Sequence, residues 1–218
     1  MTPPTAPSEF TKVHRLPGRA AYDTEAVHAV LDAALVGHVG LVRQGRPVVI
    51  PMLFGRLDEH VYLHGSVAAG VLRDGADGAE VCLTATVVDG LVFARSAFHH
   101  SMNYRSAVVV GPVATVQGEE KVAGLRAIAE HLTPGRWAEV RPPTEAELRQ
   151  TMVLRLSLAE ASTKCRTGGP VDDAEDLALD VWAGVVPTAV GYARPDDAED
   201  LPAGIAVSPA VAALRRQA

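Results

Sequence analysis

Between Arg95 and Ser106 the chain reads RSAFHHSMNYRS, a polar segment set between two apolar, β-prone runs. Its guanidinium (Arg105), phenol (Tyr104) and hydroxyls (Ser101, Ser106) are the donors that a phosphate or the polar edge of a ring would take. A solvated loop packed by a salt bridge would use the same residues. Adjacent His99 and His100 point to opposite sides of an extended chain and so do not share one metal ion; haem ligation is the other chemistry such a pair could supply. Three further sets stand out. His64-Gly65-Ser66 closes an apolar strand, where backbone N–H groups can hold an anion or simply form a turn. Lys164 and Arg166, two residues apart, share one face of an extended segment and suit an anion or a solvated strand edge. Trp182 could lie against a planar ligand, although a residue of its size is ordinarily core.

The motifs that are missing narrow the chemistry. There is no H-E-x-x-H, C-x-x-C or G-x-S-x-G, and the Gly65–Gly70 spacing is followed by Val71-Leu72 where a P-loop carries Lys-Ser/Thr. Cys82 and Cys165 are too isolated for a disulfide framework and read as two buried thiols. A net charge of −6 and a pI near 5.7 argue against a nucleic-acid surface. No apolar run is long enough for a membrane span, and the first residues, MTPPTAPSEF, do not read as a signal peptide, so the cytoplasm is expected. With 48% hydrophobic but only 5% aromatic residues, the core must be built from Val, Leu and Ala.

The elements that must hold these groups follow from periodicity. Tyr22–Gly37 has a helical apolar face, with Asp23 or Thr24 as cap. His38–Val42, Pro47–Phe54 and Val61–His64 are short strands joined by turns at Arg43-Gln44-Gly45 and at 57–60, a meander rather than a βαβ unit. A short helix is expected from Val67 to Arg73. Glu80–Val88 and Leu91–Ser96 flank Asp89-Gly90, which reads as a two-residue hairpin turn. Strand Tyr104–Val116 and helix Glu119–Leu132 follow. Thr144 with Glu147 forms a capping box for a brief helix. Thr151–Leu158 alternates as a strand, Ala161–Arg166 adds another, and Trp182–Val186 is expected to be buried. The fold class is therefore mainly β (α+β): a six- to seven-stranded antiparallel barrel with peripheral helices. Residues 1–14 are expected to form a disordered N-terminal arm, 15–187 the barrel domain and 188–218 a C-terminal arm, with a helical turn near Pro209–Arg216.

Taken together, HVGLV, GRPVVIPM, VYLHGS, CLTATVVDGLVFARSAFHHSMNYRSAVVVG, KCRTGGP and VWAGVVP occur in an order that resembles the pyridoxamine 5′-phosphate oxidase-like, FMN-binding split-barrel superfamily. The branch it looks most like contains the 5-nitroimidazole-resistance flavoproteins. The resemblance covers roughly residues 15–187 and is most specific around FHHSMNYRS. It implies a homodimer holding FMN in a cleft between subunits. Arg46, Val48, Val49, Ile50 and Pro51 correspond to the strand lining the flavin, and His64, Gly65 and Ser66 to the strand end near its ribityl chain and phosphate. Ser106, after Arg105, matches a position that often contacts FMN, and Trp182 resembles a Trp-x-Gly element that reaches the flavin. His64 and Tyr104 are then candidate hydrogen-bond donors near the ring. Relatives carry a basic pair after the HGS-like segment, where this chain has Ala69-Gly70-Val71; Arg73, Arg105, Lys164 and Arg166 are the candidate replacements.

The resemblance implies an FMN-dependent oxidoreductase that reduces a small organic substrate with electrons from NAD(P)H. Two other readings stay open: a non-catalytic flavin or haem carrier or sensor, and a split-barrel dimer without cofactor.

Overall fold

The computed structural model describes residues 6–67 and 78–214. The helix expected from Val67 to Arg73 and the Ala69-Gly70-Val71 segment fall almost wholly on 68–77, outside the described residues. The strands are β1 (Ala20–Ala21), β2 (Gly37–Arg43), β3 (Arg46–Met52), β4 (Phe54–Leu57), β5 (His60–Ser66), β6 (Glu80–Phe93), β7 (Ser101–Thr115), β8 (Thr151–Ser157), β9 (Ala161–Arg166) and β10 (Gly184–Pro187). The helices are α1 (Thr24–Ala33), α2 (Gly118–Leu132), α3 (Glu145–Gln150) and α4 (Pro209–Leu214).

All pairings are antiparallel, and the main path runs β3-β2-β6-β7-β8-β5-β4, with β9 on β7, β1 on β9 and β10 on β6. β3 and β4 are the two ends of this path, and the chain passes from one to the other through Leu53 alone. The 15-residue β7 belongs to both halves: its first part pairs with β6 and β9, and Val113–Thr115 pair with β8. This is the split antiparallel barrel with peripheral helices that the sequence implies.

Alternation decides the interior. Val39 and Leu41, Leu83 and Ala85, Ala107 and Val109, and Leu154 and Leu156 point inward and pack with Val27, Val30 and Leu31 of α1. Helix α1 starts after Asp23, whose Oδ1 accepts from the Ala26 N–H at 2.9 Å, and leaves helical geometry at Ala34, earlier than the apolar periodicity suggests. The chain is drawn off because Gly37 already pairs with Met52 and Ala85. On the outside of β4, β5 and β8, α2 covers Tyr62 and Val153 with Ile128. It comes so close to β4 that a Cβ on Gly55 would overlap the backbone of Ala127 and Ile128. The capping box at Thr144 and Glu147 forms as expected.

Two expectations are corrected. Asp89-Gly90 is not a turn: β6 runs 14 residues straight through it, with a bulge between Val88 and Gly90, and the chain reverses at Ala94–His100 instead. A type I′ turn needs positive φ at both central residues, which Gln44 (50°) and Gly45 (74°) have between β2 and β3 and Asp89-Gly90 do not. Gly90 has a different use, since a Cβ there would press on Val185 and the Val186 carbonyl of β10. Trp182, expected to be buried, is 65% exposed. No helix among the described residues is long and apolar enough to cross a membrane.

Candidate cofactor site

Strand register sorts the candidate residues by face. Pro51, His38, Thr84, Val108 and Ser162 form one row across β3, β2, β6, β7 and β9; Thr86, Ser106 and Lys164 form the next; Val88, Tyr104 and Arg166 a third. These rows alternate with the buried rows of Leu83–Val109 and Ala85–Ala107, so they point out of the barrel. The outward face therefore offers hydroxyls (Thr84, Thr86, Ser106), the Tyr104 phenol and an ammonium, beside Val42, Val49 and Pro51, which are exposed on β2 and the edge strand β3. Pro47 and Pro51 suit that edge, where no ladder N–H is needed. Of the β3 residues, Val49 and Pro51 face outward, whereas Arg46, Val48 and Ile50 alternate to the other side.

The cations separate. Arg105 does not join Tyr104 and Ser106: it lies on the opposite face, and its Nε and Nη2 donate to Asp89 at 3.0 and 2.8 Å. That carboxylate holds the guanidinium pKa above its ordinary value. Arg166 shares the outward row but is only 6% exposed, and it donates to Asn103 Oδ1 and to the carbonyls of Gly168 (3.1 Å) and Gly169 (3.0 Å). It pins the chain leaving β9. Lys164 is half-buried and has no carboxylate partner among the described residues, while its carbonyl accepts from Ser106 Oγ at 3.2 Å. Lys164 is thus the cation best placed to meet an anion on this face.

Trp182 stands further along, its ring 6.1 Å from Phe93, which in turn meets His100 edge-on at 5.6 Å. His99 ends a 3₁₀ turn, and His100, which caps it, returns to extended backbone. His99 Nε2 lies 3.0 Å from Asp173 and its pKa is raised by that hydrogen bond; His100 Nδ1 lies 3.0 Å from the Ser96 carbonyl.

His64, Gly65 and Ser66 pair with Val153, Met152 and Thr151 of β8, away from the Tyr104 rows. The N–H that follows them, on Val67, donates to the Gln150 carbonyl at 3.2 Å. The His64 ring opens into a groove of about 460 Å3 lined by Leu125, Trp137, Arg141, Pro143, Glu147 and Thr151. Burial of the ring lowers its pKa, favouring the neutral imidazole. Sequence reasoning missed His38, Thr84 and Thr86, which the alternation of β2 and β6 would have shown, and it missed Trp137 and Arg141, which no local signal ties to His64. The two thiols are free and half-buried rather than buried, with pKa values raised by burial.

A flavin fits this outward face: an apolar strand edge for the ring, hydroxyl donors for its polar margin and one available ammonium for phosphate. Comparison with known proteins agrees on the fold and on flavin binding among relatives. The family model for pyridoxamine 5′-phosphate oxidase matches residues 23–165. The flavocytochrome Anf3 from Azotobacter vinelandii is 38% identical, with a TM-score of 0.88 over 96% of this chain and 98% of that one. The FAD and heme binding protein from Mycobacterium smegmatis is 37% identical, with a TM-score of 0.86 over 90% and 97%. A Bacteroides thetaiotaomicron protein described in terms of 5-nitroimidazole antibiotic resistance shares the fold at 24% identity, with a TM-score of 0.55 over 66% and 85%. No curated protein matches the chain significantly. The matched region spans the barrel from α1 to β9, and the chain belongs to the pyridoxamine 5′-phosphate oxidase family.

Proposed function

We propose that this chain is a flavin- and haem-binding redox protein, acting as a cytoplasmic homodimer that accepts electrons from NAD(P)H and passes them to a small organic acceptor. The observation that carries the reading is the pair of relatives at 38% and 37% identity over 96% and 90% of the chain, described as a flavocytochrome and as an FAD and heme binding protein. The expectation of FMN widens here to a flavin, FMN or FAD. A bound flavin exchanges one or two electrons and a haem one, so the pair links a two-electron donor to one-electron chemistry.

The chain's own residues would do the holding. Val49 and Pro51 offer the ring an exposed apolar strand, Tyr104 and Ser106 offer hydrogen bonds, and Lys164 offers charge to a phosphate. Arg105, already neutralised by Asp89, is left out of the phosphate site. The face is open on one protomer, with Val49 63% exposed, and a second copy would shield it from water.

The test is the visible spectrum of the purified protein, with the released flavin identified by mass. Flavin bands and a Soret band, both changing when NADH or NADPH is added without oxygen, are the expected result. A colourless protein that takes up neither added flavin nor haemin overturns the reading. Colour that persists with both reductants retains the cofactors but removes the enzyme.

A further inference from the structure

The outward face of the barrel continues past the rows that suit a flavin. The bulge between Val88 and Gly90 adds one residue to β6, so Leu91 keeps the facing of Val88, and Met102 keeps that of Tyr104. Leu91 pairs with Met102 on one side and with Val186 of β10 on the other, and all three are exposed. Trp182 lies beside them: its indole covers Gly184, where a Cβ would run into the ring. The face is therefore apolar at both ends, with Val42 and Val49 at the β2–β3 hairpin and Val186, Leu91, Met102 and Trp182 at the other. Its hydroxyls, phenol and ammonium lie between.

The segment leading into β10 adds two further properties. Leu177, Leu179 and Val181 are exposed although they lie in a fixed, mostly irregular stretch of chain. From Thr167 to Ala193 the carboxylates are Asp172, Asp173, Glu175, Asp176 and Asp180, and there is no Lys, Arg or His. Asp172 is taken by Arg95 and Asp173 by His99; the other three have no ion partner among the described residues. The hairpin has the opposite charge, since residues 37–52 hold His38, Arg43 and Arg46 and no carboxylate. On one chain the two regions lie at opposite ends of β6. Leu41 pairs with Val81 and Gly184 with Phe93, a separation of about 40 Å along the strand.

A two-fold axis across the middle of the face removes that separation, because it reverses the strands and lays each hairpin on the other copy's acidic segment. We infer that two copies pack through this face, each clasping the other's β2–β3 hairpin with residues 171–186. Leu179, Val181 and Trp182 meet Val42 and Val49, and Asp176 and Asp180 face Arg46. Opposite charges at the two ends fix the register. The polar rows are enclosed between the copies, and the exposed strand at Val49 and Pro51 is closed by the partner's segment. Residues 171–186 lie beyond the 23–165 that the family model matches. The inference rests on the homodimer proposed above and identifies the surfaces that meet.

Sedimentation velocity of the full-length protein over a concentration series tests it, with circular dichroism and flavin content measured on each variant. The wild type should sediment as a dimer. Leu179→Asp combined with Val181→Asp should raise the dimer dissociation constant roughly tenfold or more. Arg46→Glu and Asp180→Arg should each raise it by a smaller factor that shrinks at high salt. Placing Arg46→Glu and Asp180→Arg in one chain should restore most of the loss, because the axis brings each to the other. Variants that dimerise like wild type, or a charge swap that rescues nothing, overturn the clasp and leave the homodimer standing. A wild type that is monomeric with its flavin bound overturns the clasp and the homodimer but not the flavin reading.

Discussion

The barrel has two outer flanks built from similar strands. On one, formed by β4, β5 and β8, Tyr62 and Val153 are buried under α2, and Gly55 lets the helix come into backbone contact. On the other, formed by β3, β2, β6 and β7, Val42 (70%), Val49 (63%) and Val88 (41%) stay exposed among threonines, Tyr104 and Lys164. A flank covered by its own chain is a stability element, because its packing is fixed before any partner arrives. An uncovered apolar flank with hydroxyls and an ammonium is a binding element, since leaving that surface in water is unfavourable and a ligand or second copy removes it.

Substitutions should separate the two flanks. Gly55→Val has the largest expected effect: overpacking against α2 should destabilise the fold by about 3 kcal/mol, read by chemical denaturation. Arg166→Met comes next, at about 2 kcal/mol, because Asn103 and the Gly168 and Gly169 carbonyls lose a charged donor in a buried setting. A cost comparable to that of an exposed residue would show that Arg166 serves the ligand rather than the loop. Val49→Asp and Lys164→Ala should leave protomer stability within about 0.5 kcal/mol but weaken flavin uptake roughly tenfold, measured by titration with fluorescence. Arg105→Ala should leave uptake unchanged; a matching tenfold loss would mean that the guanidinium abandons Asp89 for the phosphate. The smallest effect concerns pH. His99 has its pKa raised above 6.5 by Asp173, so this contact's contribution is complete below that value and fades as pH rises through the higher folded-state pKa. His99→Ala should remove that slope from the melting temperature measured against pH, with flavin uptake untouched.

Much of the barrel was legible along the chain. Helix α1 with its Asp23 cap, the capping box at Thr144, the β2–β3 hairpin and the alternation of β8 are written in contacts a few residues apart, where hydrogen bonding and periodicity act locally; the expected three-strand meander instead splits into two hairpins, β2–β3 and β4–β5, at opposite ends of the sheet path. The candidate site was legible only as a set of residue types. RSAFHHSMNYRS supplied a guanidinium, a phenol and hydroxyls, but reading them as one cluster ignored the two-residue period that sends Arg105 to the face opposite Tyr104 and Ser106. The Asp89-Gly90 pair shows the limit of a local signal. Its composition suits a I′ turn, yet pairing with β7 along its length and with β10 beside it favours a continuous bulged strand.

By itself the sequence determined the family, the mainly antiparallel β architecture and the inventory of polar groups along its strands. Tertiary structure decided which of those groups are available. Arg105 and Arg166 carry the same charge as Lys164, but Asp89, 16 residues before Arg105, and Asn103, 63 residues before Arg166, hold them in ion pairing and buried hydrogen bonds. Trp182 lies exposed beside Phe93, and His64 gains Trp137 and Arg141 as neighbours from across α2. Partners distant in sequence are brought together only by the packing of the whole barrel, and it is those partners that set a side chain's burial, charge balance and freedom to bind.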